Sequence, residues 1–212
     1  MSKVKKTVAK VKKVVTPKRL AIAMAIIALV SFLYKFTIGV MSLSIVLIIA
    51  AVPTLFVFIC KALYAKDMHQ PRDKKKKTYF FMMIATVCFV VLFLMFSTFK
   101  AFGIDISHEN TFTGWIGIVF IFFIMVMFAL SIINLRGALN KDDLVVIGIK
   151  EITFVSALAD AVIIQEFLYK VIPHYRDIPF MKLLNSYFPL IIGVLMIMVP
   201  IYMFKRFKDY EA

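Results

Sequence analysis

The chain has 212 residues, of which 62% are apolar and only 18% charged, against about a quarter charged in soluble domains. With 22 phenylalanines, 13 methionines and a mean hydropathy of +0.92, there is more apolar surface than one small aqueous core can hide, so the missing solvent is lipid. This excludes a disulfide-stapled secreted domain and a disordered chain, and it turns the net charge of +14 from a nucleic-acid signal into one read by position relative to a membrane.

The opening segment, residues 1–19, holds eight Lys and Arg and no acid, with Val4, Val8, Val11 and Val15 on one helical stripe. It reads as a basic amphipathic helix lying on the cytoplasmic membrane face and ended by Pro17, with Lys12 and Lys13 among its lipid contacts. Beside an anionic leaflet each such basic residue contributes about 1 kcal/mol. No small-residue cleavage pattern follows, so a signal peptide is not the favoured reading.

Six apolar runs then alternate with polar punctuation, at about 20–36, 40–64, 78–99, 114–135, 144–168 and 187–204. The expected fold is therefore all-α: a polytopic integral membrane bundle of about six transmembrane helices over 20–204, with both termini cytoplasmic and a short tail at 205–212. In this reading Lys35 closes the first span, Trp115 anchors the fourth at an interface, and Tyr187 and Pro189 open the sixth. Pro53 is expected to kink the second helix by freeing the Ile49 carbonyl, and Pro200 lies near the end of the sixth. Ala21, Ala23, Ala25 and Ala28 offer the first a small-residue face for close packing. Cys60 and Cys88 fall inside apolar runs and are read as small hydrophobes.

With the amino terminus inside, twenty of the 26 Lys and Arg residues fall on the cytoplasmic side, including Lys74, Lys75, Lys76 and Lys77 in the 66–78 loop. Five fall outside, Lys35 among them, and Lys150 is left within a span. So strong a bias requires an even number of crossings, which fits six, or four if the fifth run and another segment merely lie in the interface. It also makes Lys74 to Lys77 candidates for contact with anionic headgroups or an acidic partner.

The fifth run is unusual because it contains Lys150, Glu151, Asp160 and Glu166. An ionisable group in hydrocarbon costs about 2.5–3.5 kcal/mol on insertion scales, so it usually faces a bundle interior or a wet cavity. Stepping around an α-helix from Lys150 puts Thr153, Ser156 and Asp160 on a single polar face, with Glu151 and Glu166 off it. Lys150 and Asp160 are about 15 Å apart along the axis and cannot pair. Asp160 stays near mid-membrane however the span is framed. It is either a cation or proton site in a pathway lined by Thr153 and Ser156, or a carboxyl holding its helix to a neighbour through Ser131, Asn134 or a backbone carbonyl. A third reading makes 141–170 an interfacial or re-entrant helix.

The zinc pair His-Glu-x-x-His, the Gly-x-Ser-x-Gly elbow, the phosphate loop and Cys-x-x-Cys are all missing from the sequence. His69, His108 and His174 fall in loops. His108 with Glu109, and Glu166 with His174, are the only pairs from which an outward metal or acid/base site could be assembled. No catalytic residue, metal ligand or cofactor is assigned, and an enzyme is not the favoured reading.

The expected role is transport-related, a permease or the membrane subunit of a transporter in the cell membrane, with Asp160, Ser156, Thr153, Lys150 and Glu151 as pathway or binding candidates. The alternative is a non-transporting scaffold or regulatory subunit that binds anionic lipid or an acidic partner through its basic segments. Expected partners are the lipid bilayer and other membrane subunits, and not nucleic acid.

Overall fold

The computed structural model describes residues 17–41, 44–66, 71–103, 115–136 and 143–210. The amino-terminal segment, with Lys12 and Lys13, and the loops holding His69, His108 and Glu109 lie outside the described residues. Among the described residues the chain is helical throughout: α1 (Pro17–Met41), α2 (Ile45–Lys66), α3 (Arg72–Ala101), α4 (Trp115–Arg136), α5 (Leu144–Val171), a short 3-10 helix (Pro173–Asp177) and α6 (Pro179–Asp209). Four of these, α1, α2, α3 and α6, are long and apolar enough to cross a membrane. A shorter apolar stretch, Ile121–Ile133, runs within α4. Side chains such as Val30, Phe81, Leu92, Phe122, Ile133 and Met198 stand exposed along these helices, which is the surface a lipid-solvated bundle presents.

Helix boundaries differ from the sequence-based expectation in two places that matter. α1 continues past Lys35 to Met41, because Phe36, Ile38, Val40 and Met41 extend the apolar run beyond the lysine that had been read as its end. α6 begins at Pro179 rather than near Tyr187, with Pro189 and Pro200 both inside it and both buried. Pro179 sits in the first turn, where a missing N–H costs nothing. Pro17, expected to end the preceding tail, is helical in α1.

α5 is the hub. It packs against α2, α3, α4 and α6, while α1 packs on α2, and α3 and α6 pack on each other. Sixteen of its 28 residues are buried, on every side of the helix. Asp143 caps its start by accepting from the Val145 N–H at 3.1 Å and also receives Lys75 at 2.8 Å. The 3-10 turn opening at Pro173 ends it. Close approach to α3 is set by Gly148, where a Cβ would lie 2.8 Å from Met82 Sδ and 2.9 Å from the Tyr79 ring. Gly193 of α6 is as tightly covered by Leu94 of α3. On α1 the small face is built from Ala25 and Ala28, which are buried, whereas Ala23 faces outward.

Two apolar clusters fill the bundle. One joins Leu47, Ala50, Phe93, Ile124, Val155, Val162 and Met196, and the other joins Val57, Cys60, Tyr79, Met82, Ile149, Ile152 and Met203. Cys60 is buried and Cys88 exposed, both as free thiols.

Candidate functional site

Hydroxyls buried in an apolar bundle need partners, and most here find them on their own helix. Thr86, Ser97, Ser131 and Thr153 each donate to the carbonyl four residues earlier, to Met82, Phe93, Met127 and Ile149, the usual solution where no water competes. Thr54 does the same toward Ala50, but it and Ser156 also meet across two helices. Thr54 Oγ1 lies 3.0 Å from Ser156 Oγ across the α2–α5 interface and 3.2 Å from the Ala50 carbonyl of its own helix.

The group that brings them together is Lys35. Its Nζ donates to Asp160 Oδ1 at 2.5 Å and to Thr54 Oγ1 at 3.0 Å. Lys35 is 2% exposed and Asp160 4%, so this is a sealed ion pair of α1 with α5, braced by hydroxyls of α2 and α5. Among the described residues the backbones of α1 and α5 are not in contact. The four-carbon lysine stem bridges the distance between them. Pro53, one residue before Thr54, is buried within α2 and leaves the Ile49 carbonyl without its helical donor in the same turn.

Of the polar face read from the sequence, Ser156 and Asp160 are brought together. Thr153 is half-buried and turns back on its own helix. Asp160 is not held by Ser131, whose hydroxyl is taken by Met127, and the side chain of Asn134 lies outside the described residues. Lys150 is half-buried on α5, away from Asp160. Glu151, off the face as expected, is 3% exposed and accepts from Tyr79 O–H at 2.9 Å, with Arg206 Nη1 at 3.7 Å. Glu166 pairs with Lys100 of α3 rather than with His174, which is exposed in the 3-10 helix. Among the described residues α5 and its cap residue carry acid–base pairs to α1 through Lys35, to α3 through Lys75 and Lys100, and to α6 through Arg206.

At the opposite end of α3 from Lys100, the amino-terminal turns of α3 meet the carboxy-terminal turns of α6. Arg72 donates to the Tyr210 carbonyl at 3.4 Å and stacks over its ring at 4.6 Å, and Lys76 lies 5.4 Å from the Phe207 ring. Lys74, Lys77, Lys205 and Lys208 remain exposed there. The basic residues of the 66–78 loop and of the tail therefore converge on one end of the bundle.

Among the described residues no group of three or more His, Cys, Asp and Glu side chains could hold a metal ion. Lys35, Thr54, Tyr79 and Arg206 were not singled out from the sequence. Lys35 alone left a usable signal, the apolar run that continues beyond it.

No family model, curated protein or solved structure matches the chain. The class that fold and composition define is a multi-pass helical membrane protein, and its role is argued from the site alone.

Proposed function

We propose a transport-related role for this protein, as a permease or as the membrane subunit of a transporter, with the Lys35, Thr54, Ser156 and Asp160 assembly at its working centre. In this reading α4 and α5 cross the bilayer with the other four helices, both termini are cytoplasmic, and the membrane is the cell membrane. The observation that carries the proposal is the sealed Lys35–Asp160 pair. A buried ion pair is rarely better for stability than apolar residues of similar volume, and in lipid each charge is costly. Its presence at the hub helix, bridging two helices whose backbones are not in contact, is what a centre that changes partners during a cycle requires.

The test is flux in proteoliposomes, followed with radiolabelled sodium and rubidium and with an entrapped pH dye. Asp160→Asn alone strands a buried lysine, so the informative variant is Lys35→Met/Asp160→Asn, which removes both charges. Transport predicts wild-type flux above empty liposomes, and at least a tenfold loss in the double variant while it remains folded and reconstituted. Undiminished flux in the double variant overturns the reading.

The converging basic residues support a second reading, a scaffold or regulatory subunit docking on anionic lipid. Lys75 is engaged by Asp143 and Lys76 lies against the Phe207 ring, so the residues to neutralise are the exposed Lys74, Lys77 and Lys205. At about 1 kcal/mol each, changing all three to Gln should lower phosphatidylglycerol retained by the purified protein at least tenfold by native mass spectrometry. Equal retention counts against this reading.

A further inference from the structure

We propose that the oxygen cage around Lys35 Nζ is an exchange site for a monovalent metal cation, in which the lysine ammonium is the tethered resident and a sodium-like ion its competitor. This rests on the transport reading and names the ion that the centre would handle.

Two oxygens hold the ammonium, and a third lies one hydrogen bond beyond. Asp160 Oδ1 lies at 2.5 Å and Thr54 Oγ1 at 3.0 Å, with Ser156 Oγ a further 3.0 Å from Thr54, whose hydroxyl also meets the Ala50 carbonyl at 3.2 Å. A carboxylate and two hydroxyls are hard oxygen donors, the set that suits alkali and alkaline-earth cations rather than soft metals. A single carboxylate supplies one negative charge, which balances one monovalent ion. Calcium takes six to eight oxygen ligands and magnesium demands a near-ideal octahedron with several waters, and a sealed cage with one acid offers neither.

Lys35 already balances that charge, so the site cannot hold both cations without leaving a net positive charge buried. Entry of the ion therefore expels the ammonium. Among the described residues the α1 and α5 backbones do not touch, so the expelled lysine gives up the ion pair that ties α1 to the hub helix. The cage thereby couples cation occupancy to the position of α1.

The experiment is thermal unfolding of the full chain in detergent at fixed pH and ionic strength, with NaCl, KCl or MgCl2 replacing choline chloride. In Lys35→Met the ion has no tethered competitor. Its Tm should rise by about 5 °C or more with NaCl in a saturable way, at a half-saturating concentration at least tenfold below that of wild type. The rise should vanish in Lys35→Met/Asp160→Asn. A response to KCl in place of NaCl supports the same monovalent site. Equal Tm in choline and both alkali salts, or stabilisation by MgCl2 at lower concentration than either, overturns the proposal.

If Lys35→Met does not purify, Ser156→Ala in the wild-type background keeps the ion pair and removes one donor. It should raise the half-saturating concentration several-fold, and an unchanged value overturns the proposal. Flux that survives in reconstituted protein without any sodium or potassium response removes the ion assignment and leaves the transport reading standing.

Discussion

Replacing Lys35 with methionine, with Asp160 left in place and choline as the only added cation, is expected to destabilise the protein by about 3–5 kcal/mol, the usual cost of stranding one member of a buried pair. For a chain of this size that lowers Tm by about 10 °C. Asp160→Asn should cost a similar amount for the mirror reason, since it strands a lysine that is 2% exposed. The double variant Lys35→Met/Asp160→Asn should recover most of the loss. It leaves no buried charge. Thermal unfolding of the three variants gives a coupling energy directly, and for this pair it should be at least about 3 kcal/mol, the upper end of what contacting groups usually show. Additive losses would mean that the two side chains do not depend on each other, and the pair would then not be what joins α1 to α5.

That pair also marks how far the sequence could be read. The all-helical membrane class was legible because a 62% apolar composition, gathered into runs long enough to span a bilayer, leaves no other solvent than lipid. Asp160 and Ser156 were legible because the helical repeat puts them on one face of α5 whatever they touch. Their partners were not. Helical periodicity says which residues share a face of one helix and nothing about which helix that face meets, so Thr54 and Tyr79 carried no signal. Lys35 was misplaced for a more specific reason. A lysine near the end of an apolar run is ordinarily a snorkelling residue at the interface, and 20–36 ends with it. The apolar residues after it carry the helix on to Met41, and the pairing with Asp160 keeps the charge inside. The cluster of charges on α5 that had made its span doubtful has the same origin: these acids and the cap residue Asp143 meet bases on three surrounding helices.

The second charged contact of α5 should behave asymmetrically. Glu151 is 3% exposed, and its Oε2 accepts from Tyr79 while Oε1 has no hydrogen bond. Arg206 Nη1 stands 3.7 Å from that oxygen, too far for a hydrogen bond, so the guanidinium holds Glu151 by charge. Arg206 has other support: Nη2 donates to Tyr202 O–H at 2.8 Å, the guanidinium lies 4.8 Å from the Tyr202 ring, and the side chain keeps 18% of its surface exposed in the last turn of α6. Removing the arginine therefore leaves a sealed carboxylate with one donor, whereas removing the acid leaves a cation that can extend toward the membrane surface. Arg206→Met, which retains the apolar stem, should cost about 2–4 kcal/mol, below the full cost of a sealed pair because the arginine is partly exposed. Glu151→Gln keeps an acceptor for Tyr79 O–H and should cost about 1 kcal/mol or less. In the double variant Arg206→Met should cost far less than it does alone, because no charge remains for the arginine to balance. If thermal unfolding instead shows Glu151→Gln to be the more damaging change, the carboxylate is held by Tyr79 rather than by Arg206, and Glu151 ties α5 to α3 rather than to α6.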